Sequence, residues 1–188
     1  MATVRSNDKT ALMVVDVQVG VMQECANAAQ TIANVARTVE RARAAQVPVI
    51  WVQHESDELK RDSDAWQWVP ALVPAAGEAR VYKQFNSSFE QTNTDELLAQ
   101  AGVSHIVLAG AQSNWCIRAT AYGALERGYD LTLVKDAHTT SDLDLGNGTR
   151  IDAATIVRDL NVTMKWLQYP GRRNAVAAAE EVVFGGTG

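Results

Sequence analysis

Three side chains in this sequence could together carry out nucleophilic attack on a carbonyl: the carboxylate of Asp16, the ammonium of Lys83 and the thiol of Cys116. In such chemistry a thiolate attacks the carbonyl carbon. A carboxylate takes the thiol proton and returns it to the leaving amine, while an ammonium balances the charge. All three residues stand where a strand should end or a helix begin. Asp16 closes the apolar run Ala11-Leu-Met-Val-Val15, Lys83 follows Val81-Tyr82, and Cys116 lies a few residues past Gly110 in a turn that opens a helix. A lysine beside an aspartate favours the charged form of both and is expected to lower the thiol pKa. A helix N-terminus adds thiolate character, and the N–H groups of that turn can hold an oxyanion. Taken singly, each residue has an ordinary alternative: Asp16 as the cap of a turn, Lys83 as a solvated lysine, Cys116 as a small buried apolar group. Their coincidence at strand ends is what points to a site. Cys25, in a polar stretch after Gln23-Glu24, reads as structural.

The elements that must position these residues alternate between short β-branched runs and alanine-rich helical stretches. Strands are expected at Thr10–Asp16, Val47–Gln53, Ala79–Tyr82, His105–Gly110 and Tyr129–Lys135. Helices are expected at Ala28–Ala45, Asn93–Ala101, Trp115–Arg127 and Ile151–Trp166, with Gly102 and Gly128 as stops. Ala177–Phe184 reads as a helical turn running into a last edge strand. The polar, tryptophan-containing stretch Glu55–Gly77 is long enough to be a lid or a substrate-facing insertion. Strand–helix alternation at this spacing implies an α/β fold, a parallel sheet with helices on both faces, whose ligands bind beyond the carboxyl ends of the strands.

Composition bounds the partners. The 188 residues fit one domain, 1–188, and 47% hydrophobic with 21% charged residues is the balance of a soluble globular protein. A net charge of −5 argues against nucleic acid or an anionic membrane as the main partner. The N-terminal residues carry no apolar signal-peptide core, and two cysteines in a domain of this size suggest no disulfide framework, so a reduced, cytoplasmic protein is expected.

Leu12-Met-Val-Val-Asp-Val-Gln18 resembles the first-strand motif of the isochorismatase-like cysteine hydrolases, which ends in Asp-x-Gln. Lys83-Gln-Phe-Asn-Ser-Ser-Phe-Glu-Gln-Thr92 resembles their lysine segment, and Ala109-Gly-Ala-Gln-Ser-Asn-Trp-Cys-Ile-Arg-Ala-Thr-Ala121 their nucleophile turn and small-residue helix. The pattern continues from Gly128-Tyr129 through Lys135-Asp-Ala137, so the resemblance runs from about Ala11 to Asn161. It implies a three-layer α/β/α fold around a mostly parallel six-stranded, Rossmann-like sheet. It further implies Cys116 as nucleophile, Asp16 as general base and acid, and Lys83 as stabiliser. A cis peptide would join Ala111 to Gln112, with the N–H groups of Gln112 and Cys116 lining the oxyanion hole. Homodimers or homotetramers are common in that superfamily; Trp166, Tyr169 and the apolar C-terminal stretch offer contact surface.

Departures from the pattern narrow the function. Nicotinamidases of the superfamily carry Asp-x-His after the second strand and bind a metal, whereas this chain has Gln53-His54-Glu-Ser-Asp57. His105 and His138, read at a strand start and beyond a strand end, do not converge with it, so neither a metal nor another cofactor is expected. Retention of Cys116 favours acyl transfer, that is, C–N cleavage of a small amide, ureido, carbamoyl or lactam substrate. Vinyl ether hydrolysis of the isochorismatase type is the alternative, and a small-molecule-binding protein with an inactive site is a third reading. Candidates for substrate contact are Gln18, His54, Phe85 and Trp115. Trp51, Trp66, Trp68 and Phe89 could wall a planar pocket or simply pack the core. No arginine stands out as a partner for a substrate carboxylate; Arg118 on the nucleophile helix could serve or point to solvent.

Overall fold

Successive residues of the first strand point to opposite faces of a sheet, and both faces are apolar, so the strand has to be covered on both sides. The computed structural model, which describes residues 2–6 and 8–184, shows how. Met13, Val15, Ile50, Ile106 and Leu108 pack on one face with Leu98, Ala121, Ala124, Leu125, Leu160 and Met164. Leu12, Val14, Val49, Trp51 and Val107 pack on the other with Val35, Val39 and Ala42.

The elements run β1 (Lys9–Val15), α1 (Val19–Gln23), α2 (Ala28–Ala44), β2 (Val49–His54), β3 (Ala79–Lys83), α3 (Thr94–Gln100), β4 (Val103–Ala111), a π-helical turn (Ser113–Ile117), α4 (Arg118–Glu126) and β5 (Asp130–Thr139). A small hairpin, β6 (Leu143–Asp144) with β7 (Arg150–Ile151), then leads to α5 (Ala153–Trp166) and β8 (Asn174–Ala177). The six strands of the main sheet lie in the order β3-β2-β1-β4-β5-β8, and every adjacent pair is parallel. Helices α3, α4 and α5 bury their apolar stripes on one face and α2 on the other. The expected α/β/α architecture is therefore present. Asp152 caps α5 by accepting from the Thr155 N–H at 2.8 Å.

Three features differ from the sequence expectation. α1 and the β6–β7 hairpin carry too few residues to show a period. The last strand precedes the C-terminal turn rather than following it, because Asn174–Ala177 pairs with Leu131–Val134. β5 is longer than expected: its register slips against β4 between Leu108 and Gly110, which brings His138 opposite Gly110 inside the strand rather than beyond its end.

The chain builds β1, β2 and β3 outward in one direction, then crosses back to place β4 on the other side of β1. That reversal puts a crevice at the carboxyl ends of β1 and β4, where ligands of such folds bind.

Candidate functional site

Strands β1 to β4 each bring one group to that crevice at or just past their carboxyl ends: Asp16, His54, Lys83 and Cys116. Asp16 follows β1 and turns there with φ at 53°, a left-handed conformation that aspartate tolerates better than most residues. Its N–H remains tied to the Val52 carbonyl at 2.9 Å, so the turn redirects the side chain while the backbone stays in the sheet. Across the crevice, β4 carries Gly110 at φ 130°. A side chain there would drive its Cβ to 2.0 Å from the Val15 carbonyl oxygen, so this close approach of β1 and β4 requires glycine. A cis peptide links Ala111 to Gln112, as the resemblance implied. The π-helical turn follows, with the Gln112 carbonyl accepting from the N–H groups of Trp115 and Ile117, both at 3.1 Å. Cys116 sits in that turn.

The structure brings Asp16, Lys83 and Cys116 together. Lys83 Nζ lies 2.7 Å from Asp16 Oδ2 and donates to Cys116 Sγ at 3.2 Å. Both charged side chains are almost fully buried, at 0% and 2% exposure, so the pair is screened from water and from salt. Lys83 also reaches His54 Nδ1 at 3.4 Å. Burial acts to lower the Lys83 pKa, but the Asp16 carboxylate and the sulfur outweigh it, and the ammonium is held above its ordinary value. Burial and the nearby Lys83 charge push His54 down, which leaves a neutral imidazole at neutral pH.

The thiol behaves differently from the sequence expectation. Burial, reinforced by the Asp16 charge, pushes Cys116 up to about 12, and Lys83 only partly offsets this. The resting sulfur is a protonated thiol that needs a base at hand. Among described residues, Asp16 Oδ1 is buried and has no hydrogen-bond partner.

A cleft of about 440 Å³ opens over this centre. Cys116, Asp16, His54, Trp115 and Gln112 line it from the sheet side. Gly20, Val21, Gln23 and Glu24 line it from α1 and its end, Ser56, Glu58, Leu59 and Ala65 from the 55–77 segment, and Asn86 from the loop after β3. Of the four expected substrate contacts, His54 and Trp115 face the cleft; Gln18 and Phe85 do not. Gln18 is wholly buried, and its amide is used up: Nε2 donates to the His54 and Trp66 carbonyls at 3.0 and 2.9 Å, and Oε1 accepts from the His54 N–H at 2.9 Å. Phe85 is 45% exposed and lies outside the cleft lining. Trp66 stacks on Tyr82, Trp51 meets Trp68 edge-on, and Phe89 stacks on Tyr129, so these rings are packing. Arg118 ion-pairs with Asp159. Among the described residues, no three His, Cys, Asp or Glu side chains converge as a metal site would need.

Three contributions were not apparent in the sequence. Asn86 lies 4.0 Å from the sulfur through its Oδ1. It is held there because Ser88, in the same loop, bonds to Thr120 of α4 through both its N–H, at 3.0 Å, and its hydroxyl, at 2.9 Å. Glu24 and Glu58 reach the rim from segments without period. The buried His138 braces the nucleophile turn from behind. Asn161 donates to the Lys135 carbonyl at 2.9 Å, which aims its Oδ1 at His138 Nε2, 3.1 Å away. Nδ1 is then left to accept from the Ser113 hydroxyl at 2.8 Å. Burial holds His138 neutral, its pKa pushed down to about 4.

Fold and site together define a doubly wound α/β protein with a thiol, an ammonium and a buried carboxylate joined at the switch point. The chain belongs to the isochorismatase family: the family's isochorismatase-domain pattern matches residues 10–155. It is 32% identical over 66% of its length to the secreted isochorismatase effector Isc1 of Verticillium dahliae, and 33% identical over 73% of its length to streptothricin hydrolase of Streptomyces noursei. The match spans 65% and 57% of those two proteins' own lengths. The solved structure of N-carbamoylsarcosine amidase from Thermoplasma acidophilum superposes with a TM-score of 0.71 at 25% identity, over 93% of this chain and 98% of that one. Relatives with three different names share the frame, so the family does not by itself assign a substrate.

Proposed function

We propose that this protein is a metal-independent cysteine hydrolase that cleaves the C–N bond of a small amide, ureido, carbamoyl or lactam group. The observation that carries this reading is Lys83 Nζ in simultaneous contact with Asp16 Oδ2 at 2.7 Å and Cys116 Sγ at 3.2 Å, at the edge of an open cleft. Because the resting sulfur is protonated, the first step needs a base, and the Asp16 carboxylate supplies it. Sγ forms a bond to the carbonyl carbon as its proton passes to Asp16. The carbonyl oxygen, now negative, is held by the N–H groups of Gln112 and Cys116. Asp16 returns the proton to the leaving nitrogen, the C–N bond breaks, and an amine or ammonia departs from a thioester on Cys116. Water then attacks the thioester, losing a proton to Asp16; the C–S bond breaks and the sulfur regains that proton. Throughout, Lys83 stays cationic and offsets the charge that moves between oxygen and sulfur. Names among the relatives, a streptothricin hydrolase and an N-carbamoylsarcosine amidase, support hydrolysis and amide chemistry on this frame.

The test is turnover of a panel of small amides, ureas, carbamates and lactams by the wild type and Cys116→Ala, with and without chelator, with acyl-enzyme trapping read by intact mass. Chelator-insensitive release of amine that disappears in Cys116→Ala, with an acyl adduct on the wild type, supports the reading. Activity on a vinyl ether that survives Cys116→Ala but not Asp16→Asn would replace it with ether hydrolysis. Ligand binding without turnover would mark a binding protein.

A further inference from the structure

The charges around the cleft are one-sided. Two carboxylates, Glu24 at the end of α1 and Glu58 in the 55–77 segment, line it in addition to Asp16. Asp16 is neutralised by Lys83, but among the described residues neither the Glu24 nor the Glu58 carboxylate has an ion-pair or hydrogen-bond partner. Among the described residues, no lysine or arginine lines the cleft. Lys83 is spent on Asp16, and the cations of the flanking segments have other partners: Arg61 lies 3.6 Å from Glu55 and 4.0 Å over the Tyr82 ring, Arg118 is paired with Asp159, and Lys60 lines a separate depression. His54 is neutral and adds no positive charge. The Trp115 indole, 49% exposed and next in sequence to the nucleophile, also lines the cleft, and indole rings attract ammonium groups.

The geometry points to a cationic substrate, one whose scissile amide is carried on a skeleton bearing an ammonium or guanidinium group held between Glu24, Glu58 and Trp115. A carboxylate-bearing substrate would meet two unpaired like charges, and the one cation at the centre, Lys83, is already balanced by Asp16. This inference rests on the reading of the cleft as a hydrolase site, yet it concerns only the field at the sulfur and can be tested without a known substrate.

The probes are three methanethiosulfonates that modify thiols: a trimethylammonioethyl reagent, a sulfonatoethyl reagent and the neutral methyl reagent. Adduct formation is quantified on the Cys116 peptide by mass, and each rate is divided by the reagent's rate with 2-mercaptoethanol. The expected result is a cation-over-anion preference of about tenfold or more in the wild type. It should shrink toward unity in 1 M salt, where the Debye length falls to about 3 Å. It should also fall to within about twofold in Glu24→Gln/Glu58→Gln, with the neutral reagent correcting both proteins for thiol exposure. Equal or faster reaction of the sulfonate in the wild type would overturn the inference, as would a preference untouched by the double substitution. The expected preference in a protein that hydrolyses no amide would leave the charge inference standing while the hydrolase reading fails.

Discussion

Cys25 and Cys116 are both pushed up by burial, to about 11 and about 12. Thiol acidity therefore does not tell them apart; their neighbours do. Cys25 donates to the Val21 carbonyl at 3.2 Å and receives the Gln112 amide at 3.8 Å, and among the described residues no carboxylate or cation is hydrogen-bonded to it. Cys116 has an ammonium at 3.2 Å, a carboxylate behind that ammonium and an open cleft in front. A cysteine becomes a candidate nucleophile here through access and a positioned proton acceptor, not through a low resting pKa.

Substitutions can break this contrast. Cys116→Ala should lower turnover at least about a thousandfold, whereas Cys25→Ala should leave it within about twofold; steady-state rates on one amide settle both. Lys83→Met removes what distinguishes Cys116 and strands a buried carboxylate. The expected cost is about 3–5 kcal/mol, or a melting temperature lower by roughly 6–20 °C, read by thermal and urea unfolding. If that variant melts with the wild type, the buried pair is not what holds the crevice together.

His138 sharpens the contrast from beneath the turn. Its native pKa of about 4 lies below the ordinary 6.5, so the unfolded chain binds the extra proton first as the solution is acidified. Stability from this group is full above pH 6.5 and is lost as pH falls toward 4. The span is on the order of 3 kcal/mol, and His138→Gln should lose that acid-dependent increment in urea unfolding across this range. His54 and His105, also held low, add in the same direction in both proteins, so the difference between the two curves isolates His138. On the thiols themselves, iodoacetamide alkylation of Cys116 should climb about tenfold per pH unit between pH 7 and 9 without levelling. A plateau in that range, monitored by peptide mass, would mean a stabilised thiolate. The smallest effect belongs to Cys25→Ala, about 1 kcal/mol of unfolding free energy from the lost buried sulfur.

The frame of this site was legible because parallel strands buried on both faces must be continuous apolar runs, and the residues that end them stand out. Asp16, Lys83 and Cys116 are visible for that reason. Gln18 shows the limit: a polar residue two positions past a strand-ending acid looks poised for ligand, but its amide turns inward because three backbone groups there need partners. Phe85 and the tryptophans show another, since ring size says nothing about which side of a loop faces the cleft. Asn86, Glu24 and Glu58 were hidden because aperiodic segments carry no signal of direction. His138 was misplaced by the register slip in β5, a backbone irregularity without a residue signature. The protonated thiol was missed because proximity of a lysine was weighed without the burial that opposes it.

The wall formed by the 55–77 segment is joined to the β1–α1 connection by backbone bonds from Val19 to Gln67, Gly20 to Ala65 and Val69 to Val17, and by the amide of Gln18. For an engineer, that segment is not a free-standing cassette. A loop transplanted from a relative to change substrate range would carry its own seat only if residues 17–20 travelled with it, and a graft that kept the host's Gln18 opposite a mismatched carbonyl would be docked one hydrogen bond short.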